Sequence, residues 1–403
     1  MLDFLSGYFG VPFTRTPDAA SAIIGYDPGG LIVPWGLLEE TGIRAFDPPV
    51  TRHAAGFPVL FPNEGPLGFD LFAGIFFLLS RYEEYGDAPP DEYGRFAHTG
   101  SLAHRHGFLQ RPLIHEWLHH LAQRIEGLKG PGFSFVPTYD IDMAWSYRHK
   151  GPARNAAGLL RSVLSGRIQE AARRVRVLGA KAADPFDCFR ALDELHRQFK
   201  LDPIYFILSA RQRGRYDKNI PLAHPDMKAL VRRLSAQYRI GLHPSWRSGD
   251  EPVELREEQR ALGAAAGKGI LHSRQHYIRM RLPGTYRSLL HAGIRNDYSM
   301  GYGSVNGFRA SVAVPFYWYD LEKEEQTDLL LHPFCFMDAN AYYEQRQDIR
   351  STEMELGYYT DTLKRWGGTF ITIWHNTILG SAPSFAGWAA LYGRFLQRVT
   401  SPY

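Results

Sequence analysis

Strands alternate with helices throughout residues 131–376, and this alternation limits the folds open to the chain. Buried strands such as PIYFILSA at 203–210 are followed by amphipathic segments such as HPDMKALVRRLSAQY at 224–238. Strands that are joined through helices run parallel, so the pattern predicts an α/β fold built on a parallel sheet or barrel. In such folds the functional residues lie at the carboxyl ends of the strands, and we expect them there.

The first third of the chain has a different character. Residues 1–66 are rich in proline and glycine, which is typical of short strands and loops. Helices are predicted at 67–86 and 111–128, before the breaker cluster GLKGPG. A chain of 403 residues is too long for one ordinary core. We therefore predict a smaller N-terminal α+β domain at 1–130 and a (β/α)-barrel domain at 131–403.

Composition excludes several classes of protein. The net charge of +4 is no signature of nucleic-acid binding. The two cysteines have no metal or redox spacing, which fits a reduced compartment. The N-terminus lacks the pattern of a secretory signal, and the apolar run at 68–80 is too short to span a bilayer. We expect a cytoplasmic protein without a transmembrane segment.

One segment is strongly basic. Residues 148–181 carry nine lysines and arginines against a single acidic residue, Glu170. The segment is either a solvated insertion or a contact for an anionic partner, such as a lipid head group or a nucleotide-linked sugar. A peripheral membrane contact through this segment therefore stays open.

Polar residues recur where the apolar strands stop. They are Asp140 and Asp142 (FVPTYDIDMAW), His243 (IGLHPSW), Arg274 and His276 (LHSRQHYIRM), Asp297 (IRNDYSM) and His375 (FITIWHN). Each alone is more often a cap, a core histidine or an ion-pair partner. Together, five strands that end this way in order predict a hydrolytic metal site. Alternation along a strand at 269–280 would turn His272, Arg274 and His276 to one side.

These residues resemble the motifs of the polysaccharide deacetylase family, the NodB-homology carbohydrate esterases. Thr138-Tyr139-Asp140-Ile141-Asp142 is similar to the first motif, and the resemblance implies Asp140 as general base and Asp142 as metal ligand. It implies Arg274 as the arginine that pairs with the base, and His375 as general acid. The fold of the family is an irregular, often incomplete (β/α) barrel.

The second motif of the family, a pair of metal-binding histidines four residues apart, is broken here. His243 is present, but position 247 is an arginine. We expect His276 to replace the missing ligand, with His272 as the fallback. The N-terminal piece FDLFAGIFFLLSRYEEY resembles an uncharacterised domain that accompanies divergent bacterial members of the family. Our hypothesis is that it packs against the barrel mouth and shapes a substrate groove.

Several residues beside the predicted site are candidates for substrate binding. Residues 297–311 (DYSMGYGSVNGFRAS) predict a long loop over the site. Arg309 in this loop would bind a phosphate or carboxylate, or else form an ion pair that holds the loop. His332 and Asp338 follow a further strand and are weaker site candidates. The remaining expected substrate contacts are Tyr139, Trp246, Asp297, Tyr298, Tyr302 and Trp374, with core packing as the alternative for each aromatic ring.

The resemblance implies a metal-dependent hydrolase that removes an acetyl group from an N-acetylated sugar of a polysaccharide or glycan precursor. The cofactor would be a divalent metal ion, with Zn²⁺ expected from one carboxylate and two imidazoles. Two alternatives stay open. The barrel could be an inactive glycan-binding component of surface-polysaccharide synthesis, as the broken histidine pair would suggest. It could also be an amidohydrolase of small non-sugar amides.

Overall fold

The computed structural model describes residues 1–18, 22–86 and 88–402. The helices and strands of the N-terminal region are short. They are α1 (Leu2–Phe9), β1 (Val50–Arg52), β2 (Pro58–Leu60), α2 (Leu71–Leu79), α3 (Leu102–Arg105) and α4 (Leu113–Ala122). Strands β1 and β2 pair antiparallel. Helix α1 lies where only strands and loops were predicted, whereas α2 and α4 occupy the central parts of the two predicted helices.

Nine strands form the main sheet. They are β3 (Phe133–Ile141), β4 (Ile204–Leu208), β5 (Arg239–His243), β6 (His272–Ser273), β7 (Asn296–Asp297), β8 (Phe316–Asp320), β9 (Glu325–Leu331), β10 (Phe336–Met337) and β11 (Gly368–His375). Their order is β10-β11-β3-β4-β5-β6-β7-β9-β8, and every neighbouring pair is parallel except β9 with β8. The predicted α/β fold with parallel strands is confirmed.

Eight helices follow β3 in the part of the chain that the structure describes. They are α5 (Pro152–Leu164), α6 (Ile168–Leu178), α7 (Phe189–Phe199), α8 (Pro225–Ser235), α9 (Pro252–Ala266), α10 (Gly284–His291), α11 (Ile349–Trp366) and α12 (Trp388–Thr400). Their apolar residues recur at helical spacing; α7, for example, buries Phe189, Leu192 and His196. Among the residues that the structure describes, no helix combines the length and apolarity needed to cross a bilayer.

The sheet curls into an incomplete barrel. Strands β9 and β10 are seven neighbours apart in the sheet, which is about 33 Å in a flat sheet. Along the chain, however, Leu331 at the end of β9 is only five residues from Phe336 at the start of β10. Five residues span at most about 18 Å, so the two edges must approach each other. The carboxyl ends of the parallel strands therefore gather at one mouth.

The strand predicted at 269–280 is wrong in its extent. Strand β6 contains only His272 and Ser273, and residues 276–278 form a single 3₁₀ turn. Tyr277 and Ile278 have φ values of 60° and 53°, so the backbone is left-handed where a strand would continue. Strand alternation therefore does not relate His272 to His276.

One continuous core joins the N-terminal region to the sheet. Leu5, Trp117 and Tyr139 belong to the same buried cluster. His115 of α4 is also buried, and its Nε2 accepts a hydrogen bond of 3.0 Å from the backbone N–H of Ala313. The division of the chain after residue 130 stays a prediction, since the packing runs across it.

The segment after β7 is held by a buried ion cluster. Arg309 donates through Nε to Glu84 Oε1 (2.8 Å), and Arg81 donates through Nε to the same oxygen (2.7 Å). All three side chains are buried. Burial would raise the pKa of Glu84, but Arg309 and Arg81 outweigh it and hold the pKa below its usual value. Arg309 thus takes the second of its two predicted roles, an ion pair that holds the loop.

We expect Arg309→Ala to lower the free energy of unfolding by about 3–5 kcal/mol, because it leaves Glu84 buried with less positive charge beside it. The matched control is Arg105→Ala, which breaks the exposed pair with Asp47 and should cost less than about 1 kcal/mol. Urea unfolding followed by tryptophan fluorescence measures both. Equal losses in the two variants would show that the buried cluster does not hold the loop.

Candidate metal centre

Three side chains at the barrel mouth converge with the spacing of metal ligands. Asp142 follows β3, His243 ends β5, and His276 begins the turn after β6. Each offers one ligand atom, and these atoms lie within 4.8 Å of one another. Asp142 Oδ1 is 3.3 Å from His243 Nε2, and Asp142 Oδ2 is 3.6 Å from His276 Nε2. The structure therefore brings together the three residues predicted as ligands, and His272 lies elsewhere.

Each of the two imidazoles uses Nδ1 for a hydrogen bond and directs Nε2 towards Asp142. His243 Nδ1 donates to the backbone oxygen of Arg274 (2.6 Å), and His276 Nδ1 donates to Asp217 Oδ1 (3.1 Å). Because both acceptors are oxygens, each imidazole carries a proton on Nδ1, and Nε2 is the nitrogen directed towards Asp142. Metal-binding histidines have this arrangement in proteins.

The donor set fits a divalent cation. Asp142 Oδ1 is buried and receives no hydrogen bond from any residue that the structure describes. Loss of hydration would raise the pKa of Asp142, but His276, His243 and His375 outweigh it and hold the pKa well below its usual value. Burial would lower the pKa of His276, but Asp142 and Asp217 raise it to about 9. A carboxylate and two imidazoles are ligands that suit Zn²⁺.

Asp140 lies beside this set and has a cation of its own. Arg274 Nη1 donates to Asp140 Oδ1 (2.9 Å) and to Thr138 Oγ1 (2.7 Å), and its Nε donates to the backbone oxygen of Tyr298 (3.0 Å). The guanidinium lies 4.3 Å from the ring centre of Phe206 and is fully buried. Arg274 is therefore fixed in place, and its hydrogen bond orients the Asp140 side chain.

His375 ends β11 and also faces Asp142. Its Nδ1 donates to Asp338 Oδ1 (2.6 Å), its backbone N–H donates to Asp338 Oδ2 (2.7 Å), and its Nε2 is 3.7 Å from Asp142 Oδ2. Burial would lower the pKa of His375, but Asp338, Asp142 and Asp140 raise it to about 10. The imidazole is thus held protonated, with Nε2–H directed into the mouth.

A cavity of about 380 Å³ opens above these residues. Asp140, Asp142, His243, His276 and His375 all line it. Four tyrosines form an aromatic wall, and they are Tyr93, Tyr216, Tyr277 and Tyr343. None of the four was predicted. Tyr93 and Tyr216 lie in loops, Tyr277 lies in the 3₁₀ turn after β6, and Tyr343 lies in a helical turn at 340–344.

The N-terminal region contributes directly to this cavity. Tyr93 stacks on Tyr277 with ring centres 5.3 Å apart. Arg95 Nη1 donates to the backbone oxygens of Tyr277 and Gly303, each at 2.9 Å. These bonds support the left-handed backbone that directly follows His276.

The lining of the cavity does not include the predicted substrate-binding residues. Tyr139 and Trp374 precede Asp140 and His375 on their strands, so alternation turns them to the outer face, where both contact Tyr392. Trp246 lies behind the aromatic wall, with its ring centre 3.9 Å from that of Tyr216. The other four are buried elsewhere, and they are Asp297, Tyr298, Tyr302 and Arg309.

Local contacts explain the burial of these other residues. Asp297 accepts hydrogen bonds from the backbone N–H and the hydroxyl of Ser299, both at 2.9 Å. Tyr298 stacks on His332 with ring centres 4.2 Å apart. The guanidinium of Arg309 lies over the ring of Tyr302 at 5.6 Å. The predicted loop over the site is instead largely an inner layer of the protein. Of the two weaker candidates, only Asp338 meets the site, through His375.

Comparison with known proteins gives matches to one family model and to solved structures. A family model described as a family of unknown function, DUF7033, matches residues 8–129. No curated protein matches the chain. Among solved structures, a protein from Mycobacterium smegmatis described as a candidate polysaccharide deacetylase is 13% identical with a TM-score of 0.43, covering 68% of this chain and 85% of its own. The allantoinase PuuE is 14% identical with a TM-score of 0.42, covering 67% and 84%.

A family 4 carbohydrate esterase from Streptomyces lividans, in complex with acetate, is 13% identical with a TM-score of 0.30, covering 66% of this chain and 88% of its own. The resemblance to polysaccharide deacetylases that the motifs predicted is thus also found by comparison of structures. At these identities and TM-scores, the similarities establish no activity for this chain.

The convergence of ligand atoms generates a first prediction for this site. We expect about one divalent ion per chain, lost in Asp142→Ala, His243→Ala and His276→Ala, because two remaining ligands hold an ion weakly. Elemental analysis after dialysis measures it. The matched control is His272→Ala, which should retain the ion.

A second group complicates the stoichiometry, since His149, His224 and Asp226 also place ligand atoms within 4.8 Å of one another. The measurement is therefore made in a His224→Ala background. An ion retained in His276→Ala and lost in His272→Ala would contradict the ligand set.

Asp217 generates a further prediction. It accepts from His276 Nδ1 and from the backbone N–H of Trp246, so it orients the imidazole. We expect Asp217→Asn to weaken the affinity for the ion by about 10–100-fold, as measured by competition with a chelator. Asp250→Asn is the control, since Asp250 accepts from Arg279 on the surface. Equal affinities of wild type and Asp217→Asn would exclude this role.

Proposed function

We propose that this protein is a metal-dependent hydrolase that removes an acetyl group from an N-acetylated sugar of a polysaccharide or glycan precursor. One observation carries the proposal. Three residues with the spacing of metal ligands, Asp142, His243 and His276, lie in the same cavity as two further groups. These are Asp140, which accepts a hydrogen bond from a buried arginine, and His375, which donates one to a buried aspartate. An acceptor and a donor of protons next to a site for a Lewis-acidic metal ion suit amide hydrolysis.

The side chains have separate tasks in this reaction. When bound, a divalent cation, for which we propose Zn²⁺, supplies Lewis acidity towards the amide carbonyl and lowers the pKa of water. Asp140 accepts the proton of the attacking water, and Arg274 keeps its oxygen in place. His375 gives its Nε2 proton to the leaving nitrogen as the C–N bond breaks. The products are acetate and the free amine.

Further features support a sugar as the substrate class. The aromatic wall gives the cavity flat apolar faces next to a polar floor, which suits stacking on sugar rings.

The hypothesis of an inactive barrel rests on Arg247, which stands where the family has its second metal-binding histidine. His276 Nε2 lies 3.6 Å from Asp142 Oδ2, which is close to the 3.3 Å between His243 Nε2 and Asp142 Oδ1 and supports a complete ligand set.

We expect Asp140→Asn to lower kcat for acetate release by about 10²–10⁴-fold while the ion is retained, because the variant loses the proton acceptor and keeps the ligands. Acetate release from N-acetylated sugars and from small linear amides is measured side by side with metal content. Asp297→Asn is the matched control, because Asp297 is a buried carboxylate that ends β7 but lies outside the cavity lining, and the variant should keep most of the activity.

The outcomes separate the candidate functions. Unchanged acetate release in Asp140→Asn would remove Asp140 from the reaction. Turnover of small amides without turnover of sugars would favour the amidohydrolase. A protein that binds its metal ion but turns over neither N-acetylated sugars nor small amides would favour the hypothesis of a glycan-binding barrel.

A further inference from the structure

The helices α5 and α6, here called the basic hairpin, leave apolar side chains in solvent. Six of the sixteen large hydrophobic residues that are exposed in the described chain lie between positions 160 and 178. They are Leu160, Val163, Leu164, Ile168, Val175 and Leu178. A soluble surface carries scattered apolar residues, but a cluster of this density marks a surface that contacts a partner.

The exposed residues follow helical spacing. On α5, Ala153, Ala156, Leu160 and Leu164 recur at intervals of three and four, and all of them are exposed. On α6, Ile168, Ala172, Val175 and Leu178 do the same. Each helix therefore has an apolar stripe facing solvent, in addition to the side that packs on the protein.

The same hairpin and its flanks concentrate positive charge. Residues 148–181 contain nine lysines and arginines, and two of these, Arg167 and Arg174, pair with Glu170. The remaining seven form no ion pair with any residue that the structure describes. Arg161 and Arg176 are exposed and directly adjoin the stripe residues Leu160 and Val175. Apolar stripes bordered by unpaired cations are typical of helices that lie in the head-group layer of a bilayer.

We propose that the basic hairpin docks the protein on an anionic membrane surface. The apolar stripes enter the boundary between head groups and acyl chains, and the arginines contact lipid phosphates. Charge complementarity selects this partner. A nucleic acid would offer nothing to the aliphatic stripes, since its binding uses cations interleaved with aromatic rings.

The hairpin is fixed to the candidate metal centre at its base. The Asp184 carboxylate accepts hydrogen bonds from the backbone N–H groups of Ser146, Tyr147 and Arg148, so it ties the two ends of the insertion together. Asn376, next to His375, donates to the backbone oxygens of Met143 and Phe186. These bonds hold both ends of the insertion at the mouth of the barrel.

A second cavity, of about 710 Å³, lies between the hairpin and residues 382–385. Phe385 lines it, and Phe385 also contacts Tyr343 of the aromatic wall, with ring centres 6.4 Å apart. A docked hairpin thus places the metal centre beside the bilayer. Membrane docking together with the proposed function, on which this step rests, narrows the substrate class to N-acetylated sugars that are carried on a membrane lipid.

The test is co-sedimentation of the full chain with vesicles. Wild type should bind vesicles of phosphatidylglycerol and phosphatidylcholine, bind pure phosphatidylcholine weakly, and lose binding as salt rises. The combined variant Leu160→Ser, Leu164→Ser and Ile168→Ser should bind at least about tenfold more weakly, since its stripes are polar. Arg161→Gln with Arg176→Gln should show a similar loss at low salt.

The control replaces equally exposed apolar residues elsewhere, Val253→Ser with Met354→Ser, and should bind like wild type. Failure of wild type to bind anionic vesicles, or equal losses in stripe and control variants, would overturn the proposal. So would a dimer that the stripe substitutions dissociate without any vesicle binding, because a second copy would then cover the hairpin. Asp142→Ala should bind vesicles normally, so failure of docking and failure of hydrolysis are told apart.

Discussion

The side-by-side placement of Asp140 and Asp142 is the constraint on which the mouth of the barrel depends. Residues two apart on a strand face the same side, so the two carboxylates share one small volume and repel each other. The chain compensates each charge separately. Arg274 forms an ion pair with Asp140, with 2.9 Å between Nη1 and Oδ1, while Asp142 faces the imidazoles of His243 and His276. Two carboxylates of one chemical type thereby obtain different environments, which is what different tasks in a reaction require.

Strand ends were predictable from sequence because the signal is local. An apolar run that stops at a polar residue indicated Asp140, His243 and His375, and the parallel sheet brings all three to the mouth. The predicted substrate contacts were chosen because they adjoin site residues in the sequence, and the cavity lining does not include them. Tyr139 and Trp374 adjoin site residues along the chain, but the two-residue repeat of a strand turns them to the outer face. The aromatic wall comes from loops and single helical turns, where no periodicity reports position.

His276 was expected next to Asp142 on reasoning that the structure does not follow. The prediction placed His276 beside Asp142 by alternation along a strand, but this strand ends at Ser273. The backbone turns left-handed at Tyr277 and Ile278, directly after His276, and such a backbone costs free energy unless its surroundings hold it. Arg95 holds it, through Tyr277. The third ligand of the candidate centre therefore depends on a residue some 180 positions away, an interaction that no local pattern could have indicated.

The N-terminal region is accordingly part of the site rather than an appendage to the barrel. Glu84 fixes the inner layer after β7 through Arg309, and Arg95 fixes the turn that bears His276. Both contacts are made by buried charged side chains, so the N-terminal region supplies partners that these two segments of the barrel use. On the other side of the mouth, Asn376 joins the base of the basic hairpin to the strand that ends in His375. The parallel sheet supplies the reactive groups, and segments outside it determine where those groups stand and what can reach them.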